Sequence, residues 1–201
     1  MHDTILNHPI ISSRYFFPRY ERFENPYFVD CKDSELACYY HKKHEKAKTV
    51  VYFHGNGEVV PDYLDFFPIL FEKQGYNLLL FEFRGYGMST GKPELVTMLA
   101  DVEKAISQLG VPEKDLIFYG RSVGSLYAIH AAFVYNNAYA LILESGIADI
   151  EERIMLRVPN PEEIGSSIKE LKSEFENYFN AKTKLSFFDG KSLVLHTVMI
   201  S

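Results

Sequence analysis

The chain is poor in cysteine, in long apolar runs and in clustered positive charge, and each shortage excludes something. Its 201 residues hold two cysteines, Cys31 and Cys38. They are too far apart for a C-x-x-C pair and lack companions for a zinc site, so buried, reduced thiols are expected and no metal. No apolar run reaches the roughly 18 residues of a membrane helix, and the N-terminus has no apolar centre of the secretory kind. No membrane span and no secretory signal are expected, and the location expected is cytoplasmic. Net charge is −6, and no Lys/Arg cluster is long enough for a nucleic-acid stripe, so nucleic acid is not an expected partner. A basic-looking run, His41 to Lys48, lies between two strand candidates and reads as a solvated hairpin turn. Internal repeats and low-complexity segments are absent.

What is present is the composition of a globular chain, 47% hydrophobic and 24% charged, long enough for one domain with a substantial core. Residues 12–17, 26–31 and 36–41 are rich in Tyr, Phe and Val and read as three strands, with Pro18, Pro26 and Lys32-Asp33-Ser34 as punctuation. Strands without intervening helices suggest an antiparallel start. Then the pattern changes. Thr49–His54 is a continuous apolar run, as a fully buried strand requires. Tyr63, Leu64, Phe67, Leu70 and Phe71 follow on one helical face. Residues 76–83 form the next buried strand, and Leu95, Leu99, Val102, Ile106 and Leu109 mark an amphipathic helix stopped by Gly110. Strand–helix alternation of this kind implies a parallel sheet covered on both faces.

The alternation leads to Asp115–Ala128, DLIFYGRSVGSLYA. Leu116–Tyr119 is a short strand, Gly120-Arg121-Ser122-Val123-Gly124 is a G-x-S-x-G, and Leu126, Ala128, Ile129 and Ala132 continue as a helix. A strand that turns sharply into a helix with Ser at its apex is a nucleophile elbow. The serine needs a strained backbone, and a Cβ two residues either side would meet the neighbouring strand and helix. After the first buried strand comes His54-Gly55-Asn56-Gly57, a glycine-rich loop that could offer backbone N–H groups to an anion. Phosphate binding is not supported, because G-x-G-x-x-G would need Gly where Val60 stands. His54 has no partner at metal-ligand spacing. Arg84-Gly85-Tyr86-Gly87-Met88-Ser89 reads as a tight loop, with Arg84 held by a buried carboxylate. Its Gly91-Lys92 fails as a P-loop, since Pro93 occupies the Ser/Thr position. No cofactor is expected.

HGNG, RGYGMSTG and GRSVGS, each after its own strand, together resemble the α/β-hydrolase superfamily, in particular its serine-aminopeptidase-like branch, which also holds esterases and thioesterases. The likeness covers roughly residues 12–147. It implies a mostly parallel sheet with helices on both faces and a serine hydrolase acting on an ester, thioester or peptide bond. Ser122 would be the nucleophile, and the N–H groups of Asn56 and Val123 the oxyanion hole, with His54, Gly55 and Gly57 shaping the loop. A small acyl or peptide molecule would be the substrate. Arg121 reads as a tolerated residue at a variable position. Residues 138–144 form a further strand. A helical cap would occupy about 148–188, with Ile164, Ile168, Leu171, Phe175 and Phe179 as its stripe, between core segments 12–147 and 190–201. Residues 192–196 would be the strand leading to the catalytic acid.

The resemblance also implies an Asp where this chain has Ile200, and a catalytic His after one further strand, whereas the sequence stops at Ser201. The expectation is therefore weak or no activity, since an unactivated serine is a poor nucleophile. A non-catalytic hydrolase-like binding protein is the alternative. His130 reads as an ordinary helix histidine, His54 as a loop-orienting one, and His196 stays open as an improvised base. Glu144 and Asp149 lie near where some hydrolases place the acid. Leu193, Val194 and Leu195 would form an exposed sheet edge open to self-association, with Val198, Met199 and Ile200 adding to it.

Overall fold

Side-chain alternation along the central strands explains why helices cover both faces of the sheet. The computed structural model describes residues 4–147 and 149–196; the expectations for Val198, Met199 and Ile200 lie outside them. In strand β3 (Thr49–Phe53) all five residues are buried. Val50 and Tyr52 join one apolar cluster, and Val51 and Phe53 join the other. The same split holds in β4 (Asn77–Phe81), where Leu78 and Leu80 oppose Leu79 and Phe81. Successive residues of a strand point to opposite faces, so a strand apolar at every position needs cover on both. Helix α2 (Phe67–Lys73) supplies it on one side. On the other lie α3 (Thr97–Leu109) and α4 (Gly124–Val134).

The sheet is completed by β1 (Tyr27–Cys31), β2 (Ser34–His41), β5 (Leu116–Arg121), β6 (Ala140–Glu144) and β7 (Lys191–Leu195). The strand order is β1-β2-β4-β3-β5-β6-β7. β1 and β2 run antiparallel to each other, β2 runs antiparallel to β4, and the rest of the sheet is parallel. This is an α/β-hydrolase fold, as the motifs implied, with its antiparallel start. Both cysteines are buried free thiols, and burial raises the Cys31 thiol to about 12.

Three local expectations are corrected. Residues 12–17 are not a strand: Pro9–Tyr15 is helix α1, with Pro9 in its first turn and His8 Nδ1 accepting the Ile10 amide. Pro costs nothing at that position, because its missing N–H would have no helical partner. Ile11 and Tyr15, four apart, are the buried pair. Residues 42–48 are not a hairpin turn, because β2 pairs with β4 rather than with β3. The loop instead passes over Asn77, whose Oδ1 accepts the amides of Lys43 and His44. The single helix expected from Tyr63 is a 3-10 turn at Val60–Tyr63 followed by α2, which begins with Phe67-Pro68.

Between β6 and β7 lie α5 (Ile150–Met155), α6 (Ile168–Phe179) and α7 (Ala181–Leu185). Ile150, Ile154, Ile164, Leu171, Phe175 and Phe179 merge into the apolar cluster under α3 and α4. Ile168, expected on the buried stripe, is exposed. It is the first residue of α6, after the capping Ser167 whose side chain accepts the Glu170 amide.

Candidate active site

The turn after β5 holds Ser122 at φ 51°, a left-handed conformation that L-residues seldom adopt. The surrounding contacts maintain it. A Cβ on Gly120 would lie 2.6 Å from both the Gly124 carbonyl oxygen and Ser125 Cα. A Cβ on Gly124 would strike the Phe53 and His54 carbonyls. The elbow thus presses backbone to backbone against the end of β3, where only hydrogen fits. The Ser122 amide donates to the Glu144 carbonyl at 2.9 Å, and Ser125 Oγ donates to the Ser122 carbonyl at 2.6 Å. Ser122 is partly exposed and Val123 buried. A serine held in this way, at a helix start and open to solvent, can meet an acyl carbon.

Register brings the HGNG loop alongside. Phe53 pairs with Gly120, so the residues after β3 emerge beside the elbow. The Asn56 side chain is fully engaged: Oδ1 accepts from the Phe17 amide at 3.0 Å and the Tyr86 hydroxyl at 2.8 Å, and Nδ2 donates to the Tyr15 carbonyl at 2.6 Å. With the side chain tied back, the backbone at Asn56 is positioned independently of substrate. Among the described residues, neither the Asn56 nor the Val123 amide donates to a protein acceptor. Two amides at neighbouring strand ends are thus left without protein partners among the described residues.

His54 is 1% exposed and Glu82 0%. His54 Nδ1 faces the Gly55 carbonyl at 2.8 Å and Nε2 faces Glu82 Oε1 at 2.8 Å. Both ring nitrogens thus meet oxygen atoms within hydrogen-bond distance. Glu82 Oε2 also accepts the Val60 amide at 2.9 Å. The pair therefore links His54, at the start of the HGNG segment, to Val60, three residues beyond its end.

No imidazole among the described residues hydrogen-bonds the Ser122 hydroxyl. His130 Nε2 meets Glu103 and its Nδ1 meets Lys184; His41 meets Glu72. His196 follows β7 and is exposed. Leu195 pairs with Glu144, which pairs with Arg121, so roughly 10 Å of sheet separates the His196 backbone from the elbow. Glu144 is engaged by the Tyr119 hydroxyl at 2.6 Å and Arg121 Nε at 3.3 Å. Asp149 caps α5 by accepting the Glu152 amide. Arg84 is held as expected, by two bonds of 2.6 and 2.7 Å to buried Asp101. A cavity of about 740 Å3 opens around this pair, lined also by Lys32, Lys92 and Lys104, and includes no residue of the elbow or the HGNG loop.

Sequence reasoning passed over Arg121 as a tolerated residue. It pairs with Glu144 on one side and with Glu58, from the loop after β3, on the other. The available signal was a glutamate immediately after HGNG and another at the end of the adjacent strand, flanking an arginine beside the serine.

Comparison with known proteins follows the same lines. A family model described as serine aminopeptidase, S33 matches residues 44–184. Alpha/beta hydrolase domain-containing protein 17B of Homo sapiens is 31% identical over 119 residues, covering 57% of this chain and 41% of that protein. Protein 17C of Xenopus tropicalis is 34% identical over 101 residues, covering 48% of this chain and 32% of its own length. The chain thus spans well under half of these relatives. Among solved structures, a Pyrococcus furiosus esterase superposes with a TM-score of 0.61 at 21% identity, over 90% of this chain and 76% of that one. An aryl esterase from Burkholderia cenocepacia, itself described as a tentative assignment, superposes at 0.60 and 16% identity, over 86% and 79%. At such identities the superpositions speak for the fold alone.

Proposed function

The chain belongs to the serine aminopeptidase S33 family of α/β-hydrolases, and from that premise we propose that it carries the acyl-transfer site of a serine hydrolase, with Ser122 as nucleophile. The supporting observation is the left-handed Ser122 wedged between two glycines that admit no side chain. In the proposed reaction Ser122 Oγ attacks the carbonyl carbon of an ester, thioester or peptide. The carbonyl oxygen takes the electron pair and is received by the Asn56 and Val123 amides. Collapse of the tetrahedral adduct breaks the bond to the leaving group. It departs as alcohol, thiol or amine, with the proton that Ser122 gave up passing to it through solvent. Water then hydrolyses the acyl-serine, releasing the acid and restoring the Ser122 hydroxyl. The esterases among the structural neighbours favour testing an ester first. Residues 148–188 serve as the cap in this reading, supported by the position of α5–α7 between β6 and β7.

The described residues supply no base for Ser122, so this chain by itself reacts slowly. Loss of the base in a serine protease costs on the order of 10⁶-fold in turnover. Incubation with a fluorophosphonate probe should label Ser122 slowly, and Ser122→Ala should abolish the label. Labelling that survives Ser122→Ala refutes the assignment. A second reading, a hydrolase-like binding protein without chemistry, is favoured by the engagement of His54 and His130 in buried pairs elsewhere. It predicts no labelling while ester analogues still bind.

A further inference from the structure

We infer that Arg121 is a positioning residue that sets the distance between the oxyanion loop and the nucleophile; the inference rests on the acyl-transfer reading above. Arg121 immediately precedes Ser122, and its guanidinium bridges two carboxylates from different strand ends. Glu58 lies in the loop after β3, and Glu144 ends β6. Each carboxylate commits its other oxygen to the site. Glu58 Oε2 accepts the Gly55 amide at 2.6 Å and the Tyr63 hydroxyl at 2.5 Å. Glu144 Oε2 accepts the Tyr119 hydroxyl at 2.6 Å, and the Glu144 backbone carbonyl accepts the Ser122 amide.

The consequence is a closed circuit from Gly55 through Glu58, Arg121 and Glu144 to Ser122. The loop residue before Asn56 and the serine are tied to one guanidinium. Without it, two carboxylates face each other uncompensated and repel, and Glu58 is free to release the Gly55 amide. The loop is shaped for this contact: a Cβ on Gly55 would lie 2.8 Å from Glu58 Oε2. A planar guanidinium can address two carboxylates from separate edges, whereas a lysine ammonium is a single point of charge. The guanidinium is 38% exposed, so its value lies in geometry more than in stability. Oxyanion donors act only within a few tenths of an ångström of their proper place, and a misplacement of about 1 Å costs on the order of 10²-fold.

The test uses the full chain and p-nitrophenyl acetate, with acylation of Ser122 followed by release of p-nitrophenol. Arg121→Gln should lower the acylation rate about tenfold or more with KM changed less than twofold. Arg121→Lys should recover part of that loss, and Glu58→Gln should reproduce it without adding to it. Ser122→Ala separates the two readings. If it leaves release unchanged, the acyl-transfer reading fails. If it abolishes release while Arg121→Gln reacts like the wild type, the positioning inference fails and the reading stands. Hydrogen exchange at the Gly55 amide, which Glu58 holds, is independent of turnover. Exchange at least tenfold faster in Arg121→Gln, at an unchanged thermal midpoint, supports the inference, and wild-type protection overturns it.

Discussion

Lys184 Nζ donates to His130 Nδ1 across 3.0 Å. The imidazole is therefore an acceptor at Nδ1 and a donor at Nε2, where it reaches Glu103 at 2.8 Å. Three helices, α3, α4 and α7, meet in this chain of charge, with Phe133 and Phe179 beside the ammonium. Burial, then the Lys184 charge, lowers His130 from 6.5 to about 4. Burial lowers Lys184 to about 8, opposed by Glu103.

These directions give a signed prediction. Between pH 4 and 6.5 the unfolded chain holds a proton on residue 130 that the folded imidazole refuses. Stability then rises with pH across that window and is lost as pH falls through it. Wild type should lose roughly 2–3 kcal/mol more than His130→Gln between pH 7 and pH 4, by urea unfolding at each pH. Parallel curves for the two proteins would show that the folded imidazole is charged.

The elbow predicts an inversion of the usual rule for glycine. Ser122→Gly relieves a left-handed backbone, whereas Ser122→Ala keeps the strain. The Gly variant should be more stable than the Ala variant by about 1 kcal/mol, although glycine elsewhere costs stability. Gly124→Ala forces a methyl against the Phe53 and His54 carbonyls and should cost about 3 kcal/mol or prevent folding. Chemical denaturation of the three variants checks both. A Gly variant no more stable than Ala would mean that the turn relaxes and that Ser122 is not held at the apex.

The parts legible in sequence were those encoded locally. Continuous apolar runs announced β3 to β6, and glycine spacing announced the elbow, because each depends on residues a few positions apart. The α1 segment misled for the opposite reason: Tyr15, Phe16 and Phe17 favour strands, yet Pro9 and the Ile11–Tyr15 spacing decide for helix. What stayed hidden depends on contacts across the chain. Arg84 clearly needed a carboxylate, but that it is Asp101 follows only from packing α3 on the sheet. Arg121 looked interchangeable until the loop after β3 and the end of β6 brought Glu58 and Glu144 to it. Nothing in the sequence marks Lys184, which its docking against α4 buries.

The last prediction concerns β7. Among the described residues it pairs with β6 alone, at one end of the strand order. Leu193, Val194 and Leu195 are 49%, 67% and 41% exposed. Side chains alternate between faces, so exposure at all three means that neither face of β7 is covered here. An apolar strand with free N–H and C=O groups along one side is a template for another strand. The 201-residue chain studied alone is therefore expected to associate through this edge. Val194→Lys places a charge at the centre of that edge. Val194 is so open that the substitution should move stability by no more than about 0.5 kcal/mol. Light scattering coupled to size exclusion, over a tenfold or wider range of concentration, should show the wild type associating and Val194→Lys monomeric. A wild type that stays monomeric throughout, or a Val194→Lys variant that associates equally, removes β7 as the contact.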